Sequence, residues 1–366
     1  MAGTLIHLLV AVILVTAIAI GDACVSSDHD ALLSLKSGLN ETYLGILDTW
    51  TGFDCCHNWH GISCHPETLR VADINLRDDS EEPIFERTHR TGYMTGTISP
   101  SICNLTALTT LIVADWKGIS GPIPSCITLL TSLRILDLVG NNLTGRIPSY
   151  IGRLRELTVI NLGDNALSGP IPNSIVNLRR LMYLDLRNNR LSHEMPAGIG
   201  RLTMLSRALL SGNRLMGGIP ISISNMSRLS DLVMSQNRIS GTIPDSLGTM
   251  LVLATLNLDE NMITGRIPAS LVSSRVGILN LSRNSIVGPI PDVFGPRSYF
   301  MVMDLSYNEL SGKIPESIVK ASYIGHLDLA HNRLCGPVLE GPPFDHLDAA
   351  SFANNSCLCG KPLRSC

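Results

Sequence analysis

Three short groups of residues in this sequence carry side chains that could do chemistry at a single site. His193 and Glu194 are adjacent, but a paired-histidine zinc helix needs a second histidine three residues further on, and none is there. Cys357 and Cys359 lack a second ligand pair at zinc-like spacing. The acidic run at 78–86 could bind calcium or form a solvated loop, and we expect the loop.

Patterns typical of catalytic sites are missing from the sequence. It contains no nucleophile elbow, no phosphate-cradling glycine loop and no calcium-loop motif. We therefore predict that the protein is not an enzyme and uses no catalytic residues, metal or cofactor. His193 and Glu194 are then an irregularity of the surface.

Asparagine is the residue whose spacing is most regular. It recurs at intervals of 24 residues, with one interval of 23, in frames such as Leu133-x-x-Leu136-x-Leu138-x-x-Asn141. A fixed period of this length is typical of a solenoid. The amide can bond peptide groups of adjacent coils because it has two donors and an acceptor. The series is Asn141, Asn165, Asn189, Asn213, Asn237, Asn261, Asn284, Asn308 and Asn332.

The elements that position these asparagines follow from the apolar residues around them. Leu136 and Leu138 alternate with polar neighbours, which predicts a short strand with its leucines on the inner side. One coil cannot bury its apolar side alone, so stacked coils must form a parallel sheet. The repeats run from about residue 71 to about residue 340, in ten or eleven coils. Glycines such as Gly145 suit a turn conformation that side chains disfavour.

Three departures from the repeat mark irregular coils. Residues 77–92 lengthen the first coil with a polar run. One extra residue in the second coil places Trp116 and Lys117 at the corner that asparagine occupies elsewhere. His193 and Glu194 interrupt the usual Gly-x-Ile-Pro, which should alter the following turn.

The N-terminus predicts a secretory signal peptide. The first 20 residues are almost wholly apolar, and Gly21-Asp22-Ala23 is a plausible cleavage site, giving a signal peptide over 1–23. A plastid transit peptide is less favoured because such peptides are rich in Ser and Arg. No later segment is expected to cross a membrane. Six Asn-x-Ser/Thr sequons agree with secretion, and we expect glycosylation at Asn40, Asn104, Asn142, Asn225, Asn280 and Asn354.

Ten cysteines, mostly near the two ends, fit an oxidising compartment. We expect four disulfides near the ends: Cys24 with Cys55, Cys56 with Cys64, Cys335 with Cys357, and Cys359 with Cys366. The remaining two cysteines, Cys103 and Cys126, lie in successive coils and either form a disulfide between them or stay as buried thiols.

Both ends of the repeat array carry cap-like segments. Residues 28–40 look like an N-capped helix with Leu32, Leu35 and Leu39 on one side, and Trp50, Cys55-Cys56, Trp59 and Cys64 follow. This arrangement resembles the N-terminal cap of plant extracellular leucine-rich repeat proteins. The Leu-x-Gly-x-Ile-Pro part of each coil resembles their plant-specific subtype. Residues 341–366 are similar to the closing cap of the polygalacturonase-inhibiting proteins.

Within that group the sequence is most similar to the plant DNA-damage-repair/toleration leucine-rich repeat proteins. The residues behind this are Asp48-Thr49-Trp50, Gly92-Tyr93-Met94, Ala114 to Ile119 and Pro343 to Leu347. The resemblance implies a right-handed α/β leucine-rich repeat solenoid with a parallel concave sheet and disulfide-capped ends. It also implies three parts after the signal peptide: a cap over 24–70, repeats over 71–340 and a cap over 341–366.

Charge argues against nucleic acid as a direct partner. Lys and Arg total 28 against 31 acidic residues, a net charge of -3, and no basic stripe is visible. The damage-tolerance role that the family name implies would also need an intracellular address. Ice or polysaccharide binding would need flat rows of Thr or Ser, and the outward columns are too mixed for that.

The outward face of the sheet is the remaining candidate site, because solenoids hold partners on such a surface and aromatic and arginine residues often anchor contacts. We predict a partner-binding face formed by Trp116, Lys117, Tyr183, Asp185, Arg187, Arg207, Asp259, Glu260, Arg283, Asp304, Tyr307, His326 and His331.

These features predict a secreted recognition protein of the cell wall or apoplast, acting in plant defence or stress tolerance. The partner would be a protein or peptide, and the inhibitor resemblance suggests a microbial polygalacturonase or another wall-degrading hydrolase. The alternatives are a soluble ligand-binding partner of a membrane receptor ectodomain, or a DNA-damage tolerance factor as the name of the similar family implies.

Overall fold

The fold is a stack of coils joined by one long sheet. The computed structural model describes residues 24–42, 44–77, 92–341 and 344–366, so the predicted signal peptide and the acidic run at 78–86 lie outside the described residues. The main sheet has 12 strands, and all of its strand pairs are parallel except the first. Its strands are β2 (Ile62–Cys64), β3 (Val71–Arg77), β5 (Thr110–Ala114), β7 (Ile135–Asp137), β9 (Val159–Asn161), β11 (Tyr183–Asp185), β13 (Arg207–Leu209), β15 (Asp231–Val233), β17 (Thr255–Asn257), β19 (Ile278–Asn280), β21 (Tyr299–Asp304) and β23 (Tyr323–Asp328).

Three smaller sheets run along the side of the stack, where each coil turns after its main strand. The first contains β1 (Leu39–Glu41), β4 (Met94–Thr97), β6 (Lys117–Pro122) and β8 (Asn142–Thr144). The second contains β10 (Ser168–Gly169), β12 (Arg190–Glu194), β14 (Arg214–Gly217), β16 (Arg238–Gly241) and β18 (Met262–Ile263). The third contains β20 (Val287–Gly288), β22 (Glu309–Gly312), β24 (Arg333–Pro337) and β25 (Cys357–Cys359).

Short helices complete the coils. The α-helices are α1 (Ser26–Gly38) and the single turn α2 (Ala269–Val272). The 3₁₀ helices are Ile46–Thr49, Pro100–Asn104, Ser125–Leu129, Ile151–Arg153, Asn173–Asn177, Ile199–Arg201, Ile221–Asn225, Asp245–Thr249, Glu316–Lys320, Phe344–His346 and Ala349–Phe352. Within the described ranges, none of these helices has the length and hydrophobicity that crossing a bilayer requires.

The asparagine series bonds the coils together, as its spacing predicts. Asn213 Oδ1 accepts from the backbone N–H of Leu191 at 2.9 Å, and its Nδ2 donates to the carbonyl of Leu186 at 2.9 Å and to two carbonyls of its own turn. The bonds to Leu191 and Leu186 both join Asn213 to the preceding coil. Buried backbone groups left unpaired at these turns would each cost about 1–3 kcal/mol, so the asparagines are structural.

The asparagine series has one more member than the repeat frame predicts, and one of its members lacks a hydrogen bond that the others make. Asn355 in the C-terminal segment makes the same bonds, accepting from Leu334 N and donating to Leu329 O, so it closes the last coil. Asn141 donates to the carbonyl of Val113, but its Oδ1 is buried and has no hydrogen-bond partner within the described residues. The irregular coil before Asn141 explains the difference, because its extra residue moves the turn out of frame.

That extra residue also decides where Trp116 lies. Asp115 and Lys117 both have positive φ, 68° and 60°, so the chain turns twice and the indole between them points inward. Trp116 is fully buried and donates from Nε1 to the carbonyl of Leu76 at 2.8 Å. The prediction that it forms part of a binding face is therefore wrong. It is a core residue that fills the irregular coil.

The N-terminal helix starts earlier than predicted and is capped differently. It spans Ser26–Gly38, and its N-cap residue Val25 makes no side-chain capping hydrogen bond. The Asp28 carboxylate is fully buried and instead accepts from the Arg70 guanidinium, with Nε 2.8 Å away, and from the N–H of Val71. This hydrogen bond raises the pKa of Arg70. Asp28 thus joins the helix to the first strand of the repeats rather than capping it.

Five disulfides close the described chain, and no described cysteine is free. Two lie in the N-terminal segment, two in the C-terminal segment, and one joins successive short helices. The pairs are Cys24–Cys55, Cys56–Cys64, Cys103–Cys126, Cys335–Cys357 and Cys359–Cys366. Cross-links at the ends and across a coil boundary restrict the opening of an array whose coils contact only their neighbours.

Candidate binding face

The candidate site is the side of the main sheet opposite the buried leucines, which we call the outer face. Parallel register places equivalent residues of successive coils side by side, as with Tyr183 between Val159 and Arg207. Adjacent strands lie about 4.8 Å apart, so neighbours in one column can touch. The outer face is therefore a set of columns whose members are one residue per coil.

The first part of the outer face is charge-paired. The guanidinium of Arg77 lies 3.6 Å from the carboxylate of Asp115 and also bonds that of Asp137. Arg77 comes from β3, Asp137 from β7, and Asp115 from the turn after β5, so this pairing ties three coils together.

Around β11 and β13 the tyrosine and arginine side chains hold one another. Arg187 Nε is 3.5 Å from Asp164 and 3.3 Å from Asp185, while Arg207 Nε is 3.4 Å from Asp231. The guanidinium carbon of Arg207 also lies 5.8 Å from the ring centre of Tyr183. The arginine side chains remain about half exposed, at 46% and 53%. They are both ordered by partners and open to a ligand.

Asp185 lies beneath Tyr183 and Arg187 and holds them by hydrogen bonds. Its side chain is fully buried, and it accepts from Tyr183 Oη at 3.2 Å and from the N–H of Arg187 at 3.0 Å. Burial raises the pKa of Asp185, and burial together with the Asp185 charge raises the pKa of Tyr183. The prediction that Asp185 belongs to the exposed face is wrong, because Tyr183 and Arg187 cover it.

A second cluster lies at the corner where each strand ends. Glu260, Arg283, Tyr307 and His331 hold this position in successive coils, all with φ between 52° and 56°. Arg283 lies 4.2 Å from the ring centre of Tyr307, and the rings of Tyr307 and His331 are stacked with centres 3.9 Å apart. Arg283 Nε is 3.9 Å from Glu260. These planar groups form a continuous ledge along one edge of the outer face.

The last two main strands are longer than their neighbours. β21 and β23 have six residues each, whereas the main-sheet strands β11, β13, β15, β17 and β19 have three. Their added residues bring Tyr299 and Tyr323 into register, with ring centres 5.2 Å apart. Asp304 and Asp328 are paired in the same register, and His326 is exposed beside them. Burial raises the pKa of Asp328, and the charge of Asp304 adds to this.

Two further predicted residues lie elsewhere than expected. Lys117 is exposed but begins β6, in a side sheet rather than in the main sheet. Asp259 is half-buried, and its Oδ1 is enclosed without a hydrogen-bond partner in the described structure. The remaining predicted residues lie on the outer face or its corner.

Three exposed side chains of β21 and β23 are missed by the sequence reasoning. Tyr299, Met301 and Tyr323 are 45%, 49% and 49% exposed, yet they precede the Leu-x-Leu pair on which the repeat frame is centred. Tyrosines spaced by one repeat period, at 299 and 323, are the signal that could have indicated them.

The sequon asparagines differ in their surroundings. Asn40, Asn104, Asn142, Asn225 and Asn354 are exposed. Asn280 is half-buried on the outer face, where its Oδ1 accepts from the N–H and hydroxyl of Ser282 at 3.0 and 2.8 Å. A glycan at Asn280 would cover part of the outer face.

Among the described residues, the one close group of metal-ligand side chains is Cys24, Cys55 and Cys56. All three are in disulfides, so their sulfur atoms are not available as thiolates.

Comparison with known families agrees with the coil geometry. A family model described as "Leucine rich repeat N-terminal domain" matches residues 25–65, and "Leucine rich repeat" models match residues 131–191, 228–250 and 300–321. These matches cover the N-terminal segment and coils of the main sheet. The chain contains leucine-rich repeats and is similar to plant proteins that carry them. The predicted fold class is confirmed.

Two curated relatives resemble parts of this leucine-rich repeat protein. The DNA damage-repair/toleration protein DRT100 of Arabidopsis thaliana is 53% identical over 136 residues, 37% of each chain. Polygalacturonase inhibitor 1 of Oryza sativa subsp. japonica is 32% identical over 149 residues, 39% of this chain and 40% of the inhibitor. The matched segments thus span about two-fifths of the length of these relatives.

Solved structures resemble it over longer stretches. A plant ice-binding protein superimposes with a TM-score of 0.67 at 27% identity, covering 94% of this chain and 99% of that one. The Arabidopsis receptor kinase HAESA, in complex with the peptide hormone IDA and the co-receptor SERK1, gives a TM-score of 0.65 at 27% identity, covering 86% and 55%. Leucine-rich repeat proteins of this kind are typically binding proteins rather than enzymes.

Proposed function

We propose that this protein is a secreted, non-enzymatic recognition protein that holds a protein or peptide partner on its outer face. The observation that carries the proposal is the set of half-exposed tyrosine, arginine and histidine side chains between β11 and β23 that neighbours hold in place. Aromatic and arginine side chains are the usual anchors of protein contacts. Pre-ordered anchors lose less conformational entropy when a partner binds.

The cell wall or apoplast is the proposed location, with a role in plant defence or stress tolerance. Residues 1–23 would be the signal peptide, 24–70 and 341–366 the two caps, and 71–340 the repeats. The N-terminal family match, the disulfides and the resemblance to a polygalacturonase inhibitor support this assignment. A microbial polygalacturonase is accordingly the first partner to test. An ice-binding face needs regular rows of hydroxyl side chains. The outer face instead carries mixed residues such as Asp137, Leu209 and Val233.

The test is capture of partners by the purified mature chain from wall extract and from a panel of polygalacturonases. The double variant Arg187→Ala/Arg207→Ala should lose about tenfold in affinity for the captured partner. Its control is Arg153→Ala/Arg201→Ala, which removes the same charge from the row of short helices rather than the sheet. Equal capture by both double variants would place the contact elsewhere, and failure to slow any polygalacturonase would remove the inhibitor role.

A second candidate function is a soluble ligand-binding partner of a membrane receptor. It is favoured by the similarity to receptor ectodomains solved with peptide hormones. In this case the mature chain should co-purify with a receptor ectodomain in the presence of a peptide. A peptide that binds the chain equally well without any receptor would favour the first function.

A further inference from the structure

A cavity lies on the side of the stack that carries the short helices, away from the outer face. Its volume is about 300 Å³, and it is bordered by the end of the 3₁₀ helix Asp245–Thr249, by α2 with the turn after it, and by Arg297. Two of the residues that line it are arginines, four carry hydroxyl groups and none is acidic. We call it the helix-side cavity.

The cavity forms where the α2 coil departs from the pattern of the coils before it. In those coils the residue that caps the C-terminal end of the short helix is large and apolar, as with Leu202, Met226 and Met250. The corresponding cap of α2 is Ser273. This coil also contains the one 23-residue interval of the asparagine series. A small polar cap and a missing residue leave space that leucine or methionine fills elsewhere.

Positive charge at the helix-side cavity is not neutralised by the protein. Arg275 and Arg297 both line it, both are exposed, and neither forms an ion pair with another described residue. Arg207 on the outer face, in contrast, pairs with Asp231. Two guanidinium groups on one cavity repel each other, and an anion held between them would replace that repulsion by charge-assisted hydrogen bonds.

Hydroxyl groups of the same cavity are arranged as acceptors. Thr249, Ser270 and Ser273 each donate their hydroxyl hydrogen to a backbone carbonyl, at 2.8, 2.7 and 3.1 Å. A hydroxyl oxygen whose hydrogen is engaged in this way can still accept a hydrogen bond. The cavity therefore offers donors for an anionic group from its arginines and acceptors for O–H groups from its serines and threonine.

We propose that the helix-side cavity binds a small sugar that carries an anionic group, a sugar acid or a sugar phosphate. Arg275 and Arg297 bond the anionic group, and the hydroxyl oxygens accept from the O–H groups of the ring. Leu251 also lines the cavity and is 92% exposed, so it presents apolar surface to the C–H face of the ring. The volume lies at the small end of the range for ligand sites, which fits one ring rather than a long chain.

The test is calorimetric titration of the mature chain with three molecules built on one ring: glucose, glucuronate and glucose 6-phosphate. Inorganic phosphate is the fourth titrant. Arg275→Gln/Arg297→Gln removes the charge, whereas Ser273→Leu keeps both arginines and supplies the apolar bulk of the other coils. The control is Arg155→Gln/Arg179→Gln, which removes two exposed arginines that do not line the cavity. Thermal unfolding of each variant shows whether it folds.

We expect glucuronate and glucose 6-phosphate to bind the wild-type chain with a Kd of about 1 mM, at least about tenfold more tightly than glucose. Arg275→Gln/Arg297→Gln and Ser273→Leu should each lose about tenfold, and the control variant less than about twofold. Binding of only one of the two anionic sugars would support the site and identify its ligand as the acid or the phosphate.

Several results would overturn the proposal. They are absence of binding by both anionic sugars, equal binding of glucose, binding of inorganic phosphate as tight as that of the sugars, and equal losses in the cavity and control variants. Unchanged binding in a folded Ser273→Leu variant would place the anion outside the cavity. The outer-face variant Arg187→Ala/Arg207→Ala should bind the anionic sugars as the wild-type chain does, so this test is independent of the proposed function.

Discussion

The imidazole of His331 lies flat on the ring of Tyr307, with ring centres 3.9 Å apart and planes within 11° of parallel. Both residues occupy the same corner of successive coils, and Arg283 from the preceding coil lies 4.2 Å from the centre of the tyrosine ring. One aromatic side chain thus holds two cationic or titratable neighbours in place at the edge of the outer face.

Replacing that tyrosine should affect binding more than stability. Tyr307 is 41% exposed, so Tyr307→Ala should cost less than about 1 kcal/mol of unfolding free energy. Capture of the partner should fall about tenfold, because Arg283 and His331 lose the ring that orders them. Tyr150→Ala is the control, since Tyr150 also has an arginine over its ring but lies next to a short helix. A similar loss of capture in both variants would contradict the role of the ledge.

Removing one asparagine of the series should destabilise the stack. Asn213→Ala leaves the N–H of Leu191 without its partner, whereas the carbonyls of Leu186 and Leu210 keep bonds from Asn189 and Asn237, so we expect a loss of about 1–3 kcal/mol in chemical denaturation. Asn177→Ala, at an exposed position, should change stability by less than about 0.5 kcal/mol. Equal stability of the two variants would mean that water replaces the amide at no cost.

Trp116 should behave as a core residue. Trp116→Ala should lower the unfolding free energy by about 3–5 kcal/mol, because it empties a fully buried site. Trp116→Phe keeps most of the volume but removes the N–H that donates to the carbonyl of Leu76, so it should cost about 1–3 kcal/mol. Thermal unfolding of both variants gives the comparison. If the Trp116→Ala variant has normal stability but captures less partner, Trp116 would belong to the binding face after all.

A glycine in place of His193 should stabilise the protein. His193 has φ of 70°, at the position where other coils have glycines such as Gly145 at 78°. His193→Gly should relieve this strain and raise the unfolding free energy by up to about 1 kcal/mol. His193→Ala keeps a Cβ and should give no gain. If alanine stabilises as much as glycine, backbone strain is not the cause.

Asp328 should make stability depend on pH in acid. Burial raises its pKa in the folded state, and Asp304 adds to the shift, against His326 and His331. Because the folded pKa exceeds the unfolded value, the protonated form contributes stability below the unfolded pKa, and this contribution is lost as pH rises through the raised value. Asp328→Asn should therefore raise the melting temperature at about pH 7 and make little difference near pH 4. A gain in the melting temperature of Asp328→Asn that is larger near pH 4 than near pH 7 would contradict this prediction.

The sequence predicts the stack because its strongest signals are local and repeated. Asn213 and Leu136 each occur in a frame that returns every 24 residues, so their roles follow from period and polarity alone. Asn355 is missed because the repeat pattern around it is lost, although its bonds are the same. Trp116 is misplaced because one inserted residue reverses which way a corner side chain points, and the period does not show this.

The binding face is harder to predict than the stack. Exposure on a strand depends on the neighbours of each residue, and the buried Asp185 side chain bonds Tyr183 and lies against Arg187. Tyr299 and Tyr323 come into register because β21 and β23 are longer than the three-residue main strands just before them. These are contacts between side chains of different coils, and a single repeat frame contains no information about them.

The asparagine bonds between coils all point backward along the chain, from Asn165 to Leu138 and Leu143 and finally from Asn355 to Leu329 and Leu334. A turn therefore obtains its last partners only from residues that the ribosome adds about one period later. During translation the nascent chain would always carry one unfinished rung at its growing end. The array is completed only when Asn355 has emerged from the exit tunnel.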